Sequence, residues 1–223
     1  MRIPLSARLA ACCDFVRPGD RVADIGCDHG YLGIYLLKNG IAASVIAADL
    51  RKGPLDSAVK NSEKFGVRDK MTFYLSDGVQ NVPRDFDTLV CAGMGGDTMV
   101  SILTAAPWLQ NPQYRLILQC QTKTALLRKY LSENGWGITK ETIIRDGKFL
   151  YTVMEVIREQ CDLTPGQCYF PPALEGNPHD VLMAYYRYVV QGLENIVLNR
   201  KDAADPFAVQ ALEELKRTDP STR

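Results

Sequence analysis

The chain has 223 residues, 46% of them hydrophobic, and its 26 basic and 26 acidic side chains cancel to a formal net charge of zero. That length suits one full α/β domain plus an appendage and is short for two complete domains. A neutral chain offers no overall electrostatic attraction for nucleic acid, so such a partner would have to be held by a local basic patch.

In residues 4–16, Leu5, Leu9, Cys12, Cys13 and Val16 fall on one helical face, and Arg17-Pro-Gly-Asp20 ends that helix. Residues 21–26 read as a short strand closing on glycine, and residues 30–38 as a helix stopped by Asn39-Gly40. Residues 43–49 are almost continuously apolar, as a strand buried on both faces requires. A helix over residues 55–65 and a strand over 71–75 follow, the latter ending in Ser76-Asp77-Gly78. Residues 88–92 are strand-like and run into Gly93-Met94-Gly95-Gly96, with a helix through Ala105. Residues 114–120 read as a strand and 124–133 as a helix; 136–144 and 149–157 then flank the hairpin signal Asp146-Gly147.

This β-α alternation predicts a mostly parallel sheet with helices on both faces, and the hairpin adds one antiparallel strand near the end. The β signal stops near Glu159. Residues 160–178 have loop composition, and residues 181–200 and 206–217 carry helical patterns. The expected division is a catalytic domain over residues 1–159 and a helical C-terminal domain over residues 160–223. Seven cysteines, an odd number with no C-x-x-C among them, suggest neither a disulfide framework nor a zinc site. No run of about 20 apolar residues could span a membrane, and the N-terminus lacks a long apolar stretch. A soluble, cytoplasmic protein without a metal is expected.

The chemistry concentrates in Asp24-Ile-Gly26-Cys27-Asp28-His29-Gly30-Tyr31, which follows a strand and opens a helix. In open α/β sheets, ligands bind beyond the carboxyl ends of the strands, near the switch in strand order. Gly26 allows a sharp turn, and Gly30 lets the helix start close to a ligand. A glycine-rich turn alone would equally suit a nucleotide phosphate. Asp24 and Asp28, however, would repel a pyrophosphate and suit the ammonium of a methionine moiety. Asp49 ends the next strand, about 20 residues on, where an acidic side chain accepts ribose hydroxyls. Asp77, after Ser76, ends the third strand, where a carboxylate can accept from an adenine amino group. Any one of these residues could be a helix cap or turn former. Together, at three successive strand ends, they describe a site for a nucleoside carrying a cationic amino acid, S-adenosylmethionine.

At the end of the fourth strand, Gly95 and Gly96 permit close backbone approach beneath the reacting end of the ligand, while Met94 either packs on adenine or fills core. Gln119-Cys120-Gln121 closes the fifth strand, where an amide can hold a base edge or simply end the strand in a turn. Of the two histidines, His179 lies in a proline-rich stretch and is expected to be exposed, whereas His29 sits beside Asp28 in the glycine loop.

These motifs resemble the bacterial TrmK family, tRNA adenine N1-methyltransferases acting at position 22 of the tRNA. The resemblance rests on Asp-Ile-Gly-Cys-Asp-His-Gly-Tyr-Leu (24–32), Asp49 with Gly53-Pro54-Leu55, Ser76-Asp77-Gly78, Ala-Gly-Met-Gly-Gly (92–96) and Leu-Ile-Leu-Gln (116–119). It runs from Leu5 to Val156. It implies a Rossmann-like catalytic domain, a small helical C-terminal domain that helps hold tRNA, and S-adenosylmethionine as cofactor. Implied cofactor contacts are Asp24, Gly26, Cys27, Asp28 and Gly30 in the loop, Asp49 and Leu50, Ser76, Asp77 and Gly78, and Gly93 and Met94. Asp28, His29, Tyr31 and Gln119 are the candidates around the reacting nitrogen. The family commonly reads Gln-Pro after the fifth strand, where this chain has Gln119-Cys120. No membrane and no obligate protein partner are implied. Two other classes also fit the residues: a small-molecule methyltransferase, which neutrality favours, and a non-catalytic cofactor- or nucleotide-binding module. RNA binding would need cations gathered on one face. The candidates are Arg2, Arg8, Arg51, Lys52, Lys123, Arg128, Lys129, Lys148, Arg187, Arg200 and Lys201.

Overall fold

Strands β1 (Arg21–Ile25), β2 (Ser44–Asp49), β3 (Met71–Leu75), β4 (Thr88–Gly95), β5 (Arg115–Thr122), β6 (Trp136–Asp146) and β7 (Phe149–Arg158) form one sheet in the order β3-β2-β1-β4-β5-β7-β6. The structure is a computed structural model and describes residues 2–199 and 205–218. The first five strands pair in parallel, and β7 runs antiparallel to both neighbours, β5 and β6. Strand order proceeds outward from β1 through β2 to β3 on one side and from β4 to β5 on the other. The carboxyl ends of β1 and β4 therefore flank the topological switch, where such sheets bind ligands.

Eight helices accompany the sheet among the described residues: α1 (Ala7–Cys13), α2 (Tyr31–Lys38), α3 (Lys52–Lys64), α4 (Gly96–Thr104), α5 (Thr124–Glu133), α6 (Pro165–Tyr169), α7 (His179–Asn199) and α8 (Pro206–Arg217). Alternate strand residues point to opposite faces, and each face has its own core. Val22, Val45, Val90 and Ile117 pack with Cys12, Leu36 and Ala58 of α1–α3. Ala23, Leu89 and Leu116 pack with Met99, Ile102, Leu127 and Leu131 of α4 and α5. Both faces of the central strands are thus covered, which explains why they read as nearly continuous apolar runs.

The elements differ from expectation where local chemistry overrides the apolar pattern. Helix α3 begins at Lys52, ahead of the predicted Leu55, because Pro54 sits in its first turn, where a missing N–H costs no helical bond. Strand β4 continues through the glycine run, with register shifts at Met94 and Gly95. Residues 160–178, expected as loop, contain α6, capped by a reciprocal Thr164–Gln167 box with Pro165 in its first turn, and a 3-10 turn at Pro172–Leu174. His179, expected in a linker, opens α7. Arg200 and Lys201 lie outside the described residues.

The C-terminal helices have a separate cluster. Leu174, Met183, Leu193, Ala208 and Leu215 pack together, and Ile143 of β6 joins them. Arg128 of α5 sits beneath this layer at 1% exposure. Its guanidinium pairs with Glu141 at 2.5 Å and donates to the carbonyls of Cys168 (2.9 Å) and Tyr169 (3.1 Å) and to Tyr185 Oη (3.3 Å). The expectation that Arg128 contacts RNA phosphate is therefore overturned: its position on α5 faces α6 and α7, not solvent. All seven cysteines are free. Among the described residues no helix is long and apolar enough to cross a membrane, and no three metal-ligating side chains converge.

Candidate cofactor and acceptor site

The loop after β1 is built from unusual backbone. Gly26, Asp28 and Gly30 all take positive φ, of 73°, 49° and 71°. Gly26 N and Cys27 N both donate to the carbonyl of Ala48, at 2.8 and 2.9 Å, which ties the loop to β2. Asp28 can hold its left-handed conformation because its N–H is fixed by Asp49 Oδ2 at 3.1 Å. Asp49 Oδ1 accepts from Arg51 N at 2.9 Å, so the carboxylate is oriented from both sides and retains lone pairs for a ligand. At the next strand end, Ser76 N donates to the carbonyl of Asp49 (3.0 Å) and Ser76 Oγ accepts from Asn81 N (3.0 Å).

These strand ends enclose one cavity of about 450 Å³, within the range of ordinary small-molecule sites. Asp24, Gly26, Cys27 and Asp28 line it from the glycine loop, Asp49 and Leu50 from β2, Ser76, Asp77 and Gly78 from β3, and Gly93 and Met94 from β4. Gly26 has a backbone reason to be glycine, since its φ of 73° is one that side chains rarely adopt; a side-chain carbon there would meet only the flexible tip of Met94. Gly30 does not line the cavity. A carbon on it would lie 2.9 Å from Ala58 Cβ, so its role is close packing of the α2 start on α3 rather than room for a ligand.

Asp24 is the chemically marked residue. It is 4% exposed, and its Oδ2 has no hydrogen-bond partner among the described residues. Burial pushes its carboxyl from the ordinary 3.8 up to about 7; a backbone hydrogen bond from Gly33 opposes this, and nearby Asp49 adds to it. A buried acceptor left unpaired is costly, and here it faces a cavity that a cation could enter. The residues thus fit a nucleoside bearing an ammonium group: a buried carboxylate with one unpaired oxygen at β1, an oriented one at β2 and an exposed one, Asp77, at β3.

Of the candidates around the reacting atom, Asp28 and His29 are exposed at the mouth, with His29 Nε2 3.8 Å from Asp28 Oδ1 and the His29 ring 5.9 Å from that of Tyr31. All three line the cavity. Gln119 does not. It is fully buried, its Oε1 accepts from Gly93 N (3.1 Å) and Arg8 Nη1 (3.3 Å), and its Nε2 donates to the carbonyl of Cys120 (3.1 Å). The structure thus corrects the expectation that Gln119 faces the acceptor: its amide is spent holding the β4 turn. Cys120 points to the opposite face and packs with the α4–α5 core. Sequence reasoning missed Arg8, Thr98 and Ile102 as cavity residues. Arg8 carried one signal, a cation in the first turn of a helix, where the dipole disfavours it.

Substitution of Asp49 by alanine is expected to weaken binding of S-adenosylmethionine by about 1–3 kcal/mol, because a charged acceptor and the Asp28 N–H clamp are lost together. Isothermal titration of the folded variant measures this, and an unchanged dissociation constant would reduce Asp49 to a loop brace.

A Rossmann-like sheet with acidic groups at three successive strand ends and a cavity across its switch point defines the methyltransferase class. A family model described as a methyltransferase domain matches residues 5–154. The tRNA (adenine(22)-N(1))-methyltransferase of Bacillus subtilis is 31% identical over 153 residues, covering 68% of this chain and 64% of that protein. The chain thus spans a little under two thirds of that relative's length. The crystal structure of the B. subtilis m1A22 tRNA methyltransferase TrmK superposes with a TM-score of 0.80 at 27% identity, over 97% of this chain and 96% of that one. Streptococcus pneumoniae Sp1610 in complex with S-adenosyl-L-methionine superposes with a TM-score of 0.83 at 29% identity, over 96% and 98% of the two chains. The chain belongs to the TrmK family of methyltransferase-domain proteins.

Proposed function

We propose that this chain transfers the methyl group of S-adenosylmethionine to N1 of an adenine in tRNA, at position 22, in the cytoplasm. The observation that carries the reading is the buried Asp24 carboxylate, one oxygen of which has no partner among the described residues, on a cavity ringed by Asp49 and Asp77. In this reading Asp24 holds the ammonium of the cofactor, Asp49 its ribose hydroxyls, and Asp77 the adenine amino group. When bound, the cofactor supplies an electrophilic methyl on sulfur. Neutral adenine N1 has an in-plane lone pair, so the protein needs no strong base before attack. Its work is placement and stabilisation of the charge that develops on the base. Exposed Asp28, next to His29 and Tyr31, is the group suited to accept from the exocyclic amine as that charge forms. Gln119 acts as a positioning residue through Gly93.

An acceptor route is supported by a groove of about 910 Å³ that runs from the end of β5 to α7 and α8. Tyr151, Tyr188 and Phe207 line it, with Lys123 and Lys129 at its edge. Aromatic faces beside cations suit splayed nucleotides, and adenine N1 must be exposed before it can react. We therefore assign residues 160–223 the holding of tRNA. The groove cations are partly committed, Lys123 to Asp97 at 2.5 Å and Lys129 to Glu133 at 3.9 Å, so binding through base stacking and few phosphate contacts is expected.

Transfer of labelled methyl from the cofactor to bulk tRNA, followed by mapping of the modified adenine, tests the proposal. Label at N1 of adenine 22 is the expected result. Binding of cofactor with no label on any tRNA would favour a small-molecule methyltransferase, and no cofactor binding would leave a nucleotide-binding module.

A further inference from the structure

We propose that the tip of the β6–β7 hairpin is a stacking platform for the nucleotide beside the target adenine, with Phe149 and Tyr151 as its faces and Lys148 on a phosphate; this rests on the tRNA reading above. Its place follows from two contacts. Asp146, the last residue of β6, stands 3.6 Å from Arg8 Nε, and Arg8 lines the cofactor cavity. Tyr151 of β7 lines the groove that runs to α7 and α8. Cavity and groove themselves meet at Gln121, a groove residue whose Nε2 lies 3.6 Å from where a side-chain carbon on Gly93 would sit. The hairpin tip therefore borders the junction that an acceptor strand must cross to bring a base to the cofactor.

The tip is chemically unlike an ordinary turn. Phe149, the first residue of β7, is 48% exposed. Its ring lies 6.0 Å from that of half-buried Tyr151, at an interplanar angle of 42°. In the strand register Phe149 opposes Asp146 and Tyr151 opposes Ile144. Opposed residues share a face of the sheet, so both rings lie on the face where Ile144 packs against the α1–α3 core. A two-residue turn, Gly147-Lys148 with Gly147 at a φ of 61°, closes the hairpin on the Asp146–Phe149 pair. Phe149 is thus held out by register: a slip of β7 that turned it away would also carry Val153 out of the core. Cations attend the rings. Lys148 Nζ is 5.3 Å from the Phe149 centroid, and among the described residues neither Lys148 nor Arg145, on the other side of the turn, pairs with a carboxylate. Lys123 and Lys129 in the groove, by contrast, are paired. Aromatic faces flanked by uncommitted cations match unpaired nucleic acid, whose bases stack while its phosphates meet the charge. The target adenine must leave its stack for N1 to react. That strips a stacking face from its neighbour, and the hairpin supplies one beside the cavity.

The test is steady-state methylation of bulk tRNA by the full chain at saturating S-adenosylmethionine, with cofactor affinity measured separately by calorimetry. Phe149→Ala is expected to raise KM for tRNA about tenfold and to leave the cofactor dissociation constant within about twofold of wild type, since one stacked base loses its face. Phe149→Trp keeps that face, so it should bring KM back near the wild-type value. Its added emission should be quenched by tRNA and not by S-adenosylmethionine alone. Lys148→Ala should lower the salt slope of tRNA binding by about 0.7, the share of one single-strand phosphate. A KM in Phe149→Ala within about twofold of wild type would overturn the platform, as would Phe149→Trp emission that tRNA leaves unchanged. Equal weakening of tRNA and cofactor would make the hairpin a brace for the cavity and overturn the platform too. A wild type that methylates no tRNA would overturn the tRNA reading itself, and the platform with it.

Discussion

Arg128→Ala is expected to lower unfolding free energy by about 3–5 kcal/mol, because it leaves a buried carboxylate without its cation. Glu141 is 2% exposed, and among the described residues Arg128 is the side-chain partner of its carboxylate. The same change frees the carbonyls of Cys168 and Tyr169 and the hydroxyl of Tyr185, the contacts through which α5 and β6 hold the C-terminal helices. Loosening should therefore appear first as proteolysis of residues 160–218, ahead of the loss of sheet signal in denaturant titration. Removing both charges, as in Arg128→Met with Glu141→Gln, should recover much of the loss, since a buried pair replaced together is often near neutral. A single-variant loss under about 1 kcal/mol would contradict the buried-pair account. The same network makes Arg128 unsuitable for mapping an RNA surface. Neutralising Lys123 and Lys129 alone is the informative variant, with tRNA methylation expected to fall and cofactor affinity to hold. Truncation after Arg158 would uncover the Arg128–Glu141 pair, so a cofactor-binding fragment should not be expected from that cut.

The sheet was legible because its strands are mostly apolar and end in glycine or acidic turns, as at Ile25-Gly26 and Asp49 on the central strands and Leu75-Ser76-Asp77 at the edge. Periodicity and turn chemistry are local signals, and the strand ends that make the cofactor cavity are local features too. What stayed hidden depends on partners distant in the chain. Arg8 and Gln119 meet across 111 positions, so nothing near Gln119 reveals that its amide is turned inward. Arg128 reads as one more charge on an amphipathic helix until α6 and α7 close over it. Gly30 looks like a ligand-approach glycine because it stands in the motif, yet the contact that demands it is Ala58 on the neighbouring helix. The short helix α6 escaped because its composition is that of a loop. The capping pair Thr164 and Gln167 with Pro165 was its one available sign.

Stability of the ligand-free protein should fall as pH rises from about 4 through 7, and Asp24→Asn should flatten that slope. The carboxyl of Asp24 is raised from the ordinary 3.8 to about 7, first by burial. A group whose pKa is raised on folding favours the folded state while it is protonated, so its contribution is complete below pH 4 and lost as pH climbs through 7. Full ionisation costs about 4 kcal/mol at about 1.4 kcal/mol per tenfold change in proton affinity. Cofactor binding should run the other way. An ammonium beside Asp24 favours the ionised form, so binding below pH 7 must release a proton, and affinity should rise between pH 5.5 and 7.5. Thermal unfolding of wild type and Asp24→Asn across that range, with and without S-adenosylmethionine, reads both effects. Asp24→Asn should be the more stable protein at pH 8 without ligand and should bind S-adenosylmethionine at least about tenfold more weakly there, having lost a charge-assisted bond. A wild-type unfolding temperature that does not change between pH 5 and 8 would show that Asp24 is ionised and solvated in the free protein. An Asp24→Asn variant that keeps the wild-type pH slope of binding would move the ammonium's partner elsewhere, with Asp28 in the same loop the next carboxylate to test.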